Sequence, residues 1–316
     1  MLSCPILMSE LTHSSPHRTE TRLALFALIA GSALWGLTWW PLKFFASLGL
    51  DGHSVSLTAY SVVALLSLPL LWRERRQCRQ EWHYLLMIGL FFGTANVALT
   101  YALMAGSVVR VMLLFFLLPV WGILGGALFL KERIGWRRLI AVVFSLAGVF
   151  AILGAADALD TPLSLADVLA LIAGLAYTAG GISNRKAQTL PMLSRTLVSF
   201  VGCALIALLA LVFSVPSIPT LSAIHWLWLV LFAAVWLMGA TLLTTYGVTH
   251  VQASRAAVFQ VVELLVAVTS AVLIGGESLS AHEYLGAALI MGAALLEAQS
   301  QTLDPGADRD PASLLH

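Results

Sequence analysis

Ten long apolar runs recur along the chain, and this repetition constrains the fold more than any other feature. Because about 20 apolar residues in a helix cross the hydrocarbon core of a bilayer, runs of this length predict membrane-spanning helices. Only 10% of the residues are charged and 59% are hydrophobic, which is unlike a soluble protein. The sequence therefore predicts an all-α integral membrane protein with ten transmembrane helices. The runs lie at about 23–42, 55–72, 83–105, 109–130, 136–154, 165–183, 194–214, 226–247, 255–275 and 282–299.

Composition and motifs argue against several other functions. The formal net charge of +1 is unlike that of nucleic-acid-binding proteins, which need clustered cations. The cysteines Cys4, Cys78 and Cys203 are far apart, so they predict neither a disulfide framework nor a zinc site. The sequence contains no Walker-type glycine-rich loop and no H-E-x-x-H motif. We therefore expect no ATP, no metal and no other cofactor.

Lysine and arginine are distributed unequally between the two ends of the predicted helices. If ten spans place both termini on one side, all of the 17 Lys and Arg residues except Lys43 and Arg110 fall on that side. Cytoplasmic loops are enriched in Lys and Arg. The pattern therefore predicts cytoplasmic termini, with residues 1–22 and 300–316 forming polar tails.

The two halves of the chain repeat each other at nearly constant offsets. The segment 27–31 recurs at 170–174, and the charged and tyrosine residues follow the same register. We interpret residues 23–154 and 165–299 as two five-helix repeats. Because five is odd, the second copy enters the membrane from the opposite face, so the repeats are inverted. The matching pairs are Lys43 and Lys186, Tyr101 and Tyr246, Arg110 and Arg255, and Glu132 and Glu277.

Several short motifs occur in a fixed order within this repeat. They are Trp35-Gly36 in the first span, Pro119 in the fourth, Leu130-Lys131-Glu132-Arg133 after it, and Gly275-Gly276-Glu277-Ser278 after the ninth. With this order, the chain resembles the drug/metabolite transporter superfamily, and within it the EamA-type ten-helix permeases, over about residues 23–299. The resemblance implies a carrier in the bacterial inner membrane, usually an exporter of amino acids, related metabolites or drugs.

The chain departs from that family pattern in the ninth span. Family members often carry a proline after an acidic residue there, whereas Leu264 follows Glu263 in this chain. A proline kink is therefore not expected at this point.

Glu263 is the charged residue that lies deepest in a predicted span. At 1.5 Å per residue it lies about 12 Å inside a hydrocarbon core of about 30 Å. Ionised residues at such depth usually face a cavity or a partner, so Glu263 is a candidate proton site or contact for a substrate ammonium. Gln260 and Ser270 lie on the same stripe of the helix. The alternative is a neutral, hydrogen-bonded glutamate that joins two helices.

Other polar and aromatic residues are further candidates for the transport pathway. Asn96, Thr100 and Tyr101 lie near the end of the third span, and Tyr246 is the repeat partner of Tyr101. Trp35 is the tryptophan of the first span that we expect to contact a flat substrate. Interfacial tyrosines and tryptophans are also common as membrane anchors, and this is the interpretation that we favour for both tyrosines and for Trp39 and Trp40.

Together these features favour a secondary active transporter. Inverted repeats allow inward-open and outward-open states of similar energy around a midplane site, as alternating access requires. We expect an exporter of small amino-acid-like or other organic metabolites, with protons as the candidate coupling ion. One alternative is an intramembrane enzyme, which should show at least two juxtaposed ionisable groups at depth. The other is a passive facilitator of the same solutes.

Reporter fusions test the predicted orientation. Alkaline phosphatase fused after the C-terminal residue should be inactive, because the enzyme folds only outside the cytoplasm. The same reporter placed in the acidic loop after Asp160 should be active. Phosphatase activity at the C-terminus would contradict the ten-span topology.

Overall fold

Helices account for all regular secondary structure in the described part of the chain. The computed structural model describes residues 16–79, 81–129, 135–152, 163–210, 221–250 and 253–303. A π-helical segment, Phe232–Leu237, lies between α10 and α11. The α-helices are α1 Pro16–Gly36, α2 Trp39–Ser47, α3 Gly52–Cys78, α4 Trp82–Ala105, α5 Val108–Phe115, α6 Leu118–Phe129, α7 Trp136–Ile152, α8 Leu165–Lys186, α9 Met192–Ala210, α10 Ala223–Leu231, α11 Met238–His250, α12 Ala253–Leu273 and α13 Ala281–Leu303.

These helices account for the ten predicted spans. By length and composition, seven described segments can cross a membrane: Leu23–Ser47, Gly52–Cys78, Trp82–Ala105, Val108–Gly125, Leu165–Lys186, Met192–Ala210 and Ala223–His250. Three shorter apolar segments correspond to the fifth, ninth and tenth spans: Leu139–Ile152, Val261–Leu273 and Ala281–Leu296. The prediction of an all-α, ten-helix membrane protein is confirmed.

Helix packing follows the internal repeat. Helix α1 packs against α11 and α12 of the second half, and α8 packs in the same way against α4, α5 and α6 of the first half. Further contacts pair α9 with both α3 and α4, α3 with the π-helical segment, and α7 with α13. Exchanging the two halves maps this pattern onto itself, as an inverted repeat requires. The first helix of each half therefore lies against the third and fourth spans of the other half.

The repeat partners lie at opposite ends of the bundle. Tyr101, near the end of α4, lies against Gly52 at the start of α3. Tyr246, near the end of α11, packs its ring on His250 with the ring centroids 4.3 Å apart. Glu132 lies outside the described residues, and the side chain of Arg255 is likewise not described.

Two prolines divide spans of the first half into separate helices. Pro41 has no N–H for the Leu37 carbonyl, which instead accepts from the Trp40 N–H at 3.0 Å, and the first span divides into α1 and α2. Pro119 likewise has no N–H for the carbonyl of Phe115, and the fourth span divides into α5 and α6. Leu264 is the repeat counterpart of Pro119, and α12 is continuous through it, as the sequence predicts.

A seam of glycines brings α4 and α9 into backbone contact. A Cβ atom on Gly202 of α9 would overlap the carbonyl group of Gly89 on α4. A Cβ atom on Gly93 would lie 2.6 Å from the Gly202 carbonyl carbon. Gly89 and Gly93 are four residues apart, which is the small-xxx-small spacing that lets membrane helices approach closely. The third span of the first half is thereby fixed against the second half.

Alanine at Gly202 tests this seam. Because the added methyl group would overlap backbone atoms rather than a movable side chain, Gly202→Ala should lower the free energy of unfolding by about 3 kcal/mol. Gly239→Ala on α11 is the matched control, since nothing lies within 4 Å of its Cβ position. The control should be neutral or slightly stabilising. Equal unfolding free energies for the two variants, measured in detergent, would show that the helices are not in contact here.

Candidate functional site

Helix irregularities and Glu263 occur at one depth in the bundle. At 1.5 Å per residue, the α1/α2 interruption, the α5/α6 interruption and Glu263 all lie roughly 15 Å from the end of the bundle that carries Lys43. The π-helical segment of the eighth span lies at about the same depth. Irregular backbone at membrane depth is tolerated where it is buried in protein or lines a cavity. This level is therefore the candidate functional site.

The interruption in the first span is held by the eighth span. Because the Thr38 N–H turns to the Trp35 carbonyl, the Leu34 carbonyl loses its usual helical donor. It accepts instead from the Thr38 hydroxyl at 2.9 Å and from the Trp236 indole N–H at 3.0 Å. Trp236 belongs to the π-helical segment, and such segments are frequent at functional sites.

A small cavity lies next to this interruption. Its polar lining comes from Thr38, Ser56, Tyr60 and Thr100, and apolar side chains of α2, α3 and the π-helical segment complete it. The Tyr60 hydroxyl and the Thr100 hydroxyl are 2.9 Å apart, which joins α3 to α4. The cavity therefore combines hydroxyl groups with apolar walls and carries no charged side chain.

Two polar side chains of α3 have no hydrogen-bond partner among the described residues. They are His53, through both ring nitrogens, and Ser56, through its hydroxyl, and both residues are fully buried. Burying a polar group without a hydrogen bond costs about 1–3 kcal/mol in protein mutational data. Groups of this kind are suited to binding water or a polar solute. Sequence reasoning missed both residues, although His53, Ser56 and Tyr60 lie on one helical face by their spacing.

Glu263 lies where α12 passes the end of α1. A Cβ atom on Gly36 would be 2.6 Å from the Glu263 carbonyl oxygen, so the two backbones are in close contact. Its neighbours Leu264 and Ala267 are fully buried, whereas Glu263 itself is half-buried. Among the described residues its carboxyl group has no hydrogen bond or ion pair. The side chain of Gln260, one turn earlier, is outside the described part of the chain.

Ser270 and the tryptophans of the first span lie in different environments. Ser270 accepts a hydrogen bond from the Trp39 indole N–H at 2.9 Å, which joins the first and ninth spans. Trp39 is only 4% exposed, so the expectation of a membrane anchor was wrong for it, because its indole N–H bonds inside the protein. Trp40, at 55% exposed, fits that expectation. Trp35 is half-buried against the main core.

Of the polar residues predicted on α4, one lines the cavity and the others do not. Thr100 lines the cavity, whereas the Asn96 amide donates to the Phe92 carbonyl of its own helix at 2.8 Å. Tyr101 and Tyr246 lie at opposite ends of the bundle and do not form one site. Within the described ranges, no group of three or more His, Cys, Asp or Glu residues is arranged to hold a metal ion.

Inverted-repeat packing, interrupted helices at mid-depth and an intramembrane carboxyl together define a membrane protein of the transporter class. The model of the EamA-like transporter family matches residues 22–154 and 164–297, and the chain belongs to this family. A solved structure, named only as "Crystal structure of protein", is similar with a TM-score of 0.58 and 18% identity, covering 92% of this chain and 99% of its own. That similarity shows the overall fold. No curated protein matches the chain.

A double-mutant cycle tests the contact that holds the first-span interruption. Trp236→Phe and Thr38→Val each remove one donor to the Leu34 carbonyl, and each should cost about 0.5–1.5 kcal/mol of unfolding free energy. Together they leave that carbonyl without a side-chain donor, so the double variant should lose about 1–3 kcal/mol more than the sum. Trp228→Phe replaces an exposed tryptophan of α10 and should combine additively with Thr38→Val. Additivity in both pairs would contradict a shared carbonyl.

Proposed function

We propose that the protein is a secondary active exporter of small amino-acid-like or other organic metabolites that works by alternating access and exchanges substrate for protons. It would act in a bacterial inner membrane with both termini in the cytoplasm. The observation that carries the proposal is the position of Glu263. Its backbone packs on Gly36 at the end of α1, next to the α1/α2 interruption, and α1 and α12 belong to different halves of the repeat.

A substrate would bind near the middle of the bundle. Transporters built from inverted repeats bind substrate near the bilayer midplane, often beside discontinuous helices. Here the first and fourth spans are interrupted, and α1 and α8 each pack against the other half. The level of the interruptions therefore supports a binding site shared by both halves.

Glu263 would couple substrate transport to proton movement. Removing a carboxylate from water penalises its charged form, so an occluded Glu263 favours the protonated state, and a cavity open to water favours the ionised state. A group that binds protons unequally in two conformations can drive the transition between them. An ammonium group of the substrate would compete with the proton for the same carboxylate. This competition is the basis of the proposed exchange.

The remainder of the substrate would contact the small cavity. The cavity lined by Thr38, Ser56, Tyr60 and Thr100 offers hydroxyl groups and no charge. In this conformation the cavity has a volume of about 10 Å³, which is room for about one water molecule, so it would have to widen to admit a small side chain that is apolar or carries a hydroxyl or amide group. Trp35 would contribute an aromatic wall on the α1 side. Residues of both halves would thus contact one small solute.

Transport by purified protein in liposomes tests the proposal. Uptake of labelled neutral amino acids and related metabolites is measured under an imposed pH gradient and, separately, as exchange without a gradient. Glu263→Gln keeps the side-chain shape but cannot titrate, so it should abolish pH-driven accumulation and retain part of the exchange. Glu263→Asp keeps a carboxyl group and should preserve measurable pH-driven accumulation.

The same assay separates the alternatives. Undiminished pH-driven accumulation by Glu263→Gln would show that Glu263 is a structural residue and that the coupling assignment is wrong. Flux that never exceeds equilibrium in the wild-type protein would identify a passive facilitator. Chemical conversion of a tested compound without its net movement would identify an intramembrane enzyme.

A further inference from the structure

Charged residues of both halves meet at the end of the bundle that carries Lys43. This end comprises the end of α2, the turn between α4 and α5, the start of α8 and the turn between α12 and α13. The loops at the opposite end carry most of the Lys and Arg residues. At the Lys43 end, by contrast, each cation has a defined partner.

The first contact places a carboxylate of the second half on the N-terminus of α5. The Glu277 carboxylate accepts from the backbone N–H of Val108 at 2.7 Å and of Val109 at 3.1 Å, and from the Ser107 hydroxyl at 2.8 Å. The first N–H groups of a helix have no intrahelical acceptor, and the positive end of the helix dipole favours an anion. Glu277 thus satisfies two free donors of α5 from about 170 residues away in sequence.

The turn after α12 directs Glu277 toward α5. Gly276 has a φ of 69°, a left-handed conformation that glycine adopts without strain. The N–H of Gly275 returns to the Ser270 carbonyl at 3.1 Å and that of Glu277 to the Ala271 carbonyl at 3.1 Å. These bonds close the C-terminus of α12 in the manner typical of a glycine-ended helix. Movement of α12 would therefore carry Glu277 with it.

Two further contacts surround the same turn. Arg110, in the first turn of α5, forms a bidentate ion pair with Asp167 of α8, at 2.8 and 2.9 Å. The Asp167 side chain is 3% exposed and also accepts from the Ser164 N–H. Lys43 donates to the Gly106 carbonyl at 2.7 Å, at the negative end of the α4 dipole, and lies within electrostatic reach of Glu277.

We propose that these contacts form a releasable latch that closes the transport pathway at the Lys43 end, with Glu277 as its main residue. Two of the three contacts cross between the halves, and both converge on the first turn of α5. Hydrogen bonds to charged groups contribute about 1.5–3 kcal/mol each, and water can replace them when this end opens. A seam of packed glycines, as between α4 and α9, would not open in this way. The proposal rests on the alternating access of the proposed function.

Accessibility of a reporter cysteine tests the latch without any substrate. In a variant with Cys4, Cys78 and Cys203 replaced by alanine, Thr100→Cys places a buried thiol beneath the latch. A membrane-impermeant methanethiosulfonate reagent is added to intact cells, and the rate of labelling is measured. Glu277→Gln weakens the anionic cap and should raise this rate about tenfold or more, on the energy scale of a charged hydrogen bond.

Glu283→Gln is the matched control at the same end of the bundle. Glu283 bonds only to Ser280 at the start of its own helix among the described contacts, so its variant should label at the wild-type rate. Ser107→Ala removes one of the three bonds to Glu277 and should give an intermediate rate. Thermal unfolding in detergent shows whether Glu277→Gln is folded. If it is not, the labelling rate of Ser107→Ala tests the latch instead.

The outcomes distinguish this proposal from the proposed function. Wild-type labelling rates in folded Glu277→Gln and Ser107→Ala variants would overturn the latch, as would equal acceleration in Glu283→Gln. Faster labelling in the two latch variants alone supports it. If that result accompanies no transport of any tested compound, the latch is retained and the proposed exchange function is overturned.

Discussion

The absence of water in the hydrocarbon core is the constraint on which the rest of the structure depends. Every backbone carbonyl released by a helix interruption must find a donor inside the protein. The Leu34 carbonyl finds one in Trp236, a residue of the other half of the chain. The Phe115 carbonyl, at the second interruption, is covered by Gly174 of α8. A Cβ atom on Gly174 would lie only 2.7 Å from this carbonyl oxygen. The interruptions that define the candidate site therefore also bind the two halves together.

Much of this architecture follows from local patterns that can be read without coordinates. The number of spans follows from the lengths of the apolar runs. The division into two repeats follows from the nearly constant offset between matching residues, such as Lys43 and Lys186. The interruptions were also encoded, by Pro41 and Pro119, but run length alone treats each span as one helix. The contacts between side chains of different helices could not be predicted in this way. The contacts of Trp39 with Ser270 and of Tyr60 with Thr100 depend on how helices distant in sequence pack, and no local periodicity specifies that.

In the described structure, the polar groups at mid-depth differ from those at the Lys43 end in their charge. Uncharged hydroxyl groups and the lone carboxyl of Glu263 occupy the middle of the bundle, where desolvation is most costly. The charged contacts of Glu277, Arg110 and Lys43 lie at the Lys43 end, where water is close enough to replace them. This division is compatible with two separate tasks. In the proposed function the middle would discriminate between protonation states, and the charged contacts at the Lys43 end would hold one conformation.

Both interrupting prolines belong to the first repeat. Their counterparts by the internal offset are Asn184 and Leu264, and α8 and α12 run through these positions without a break. One repeat therefore has two points at which its spans can bend, whereas the corresponding helices of the other repeat have no such point. In the proposed alternating access, exchanging the roles of the halves would then not regenerate the same molecule. The inward-open and outward-open states would differ in energy, although the fold is duplicated.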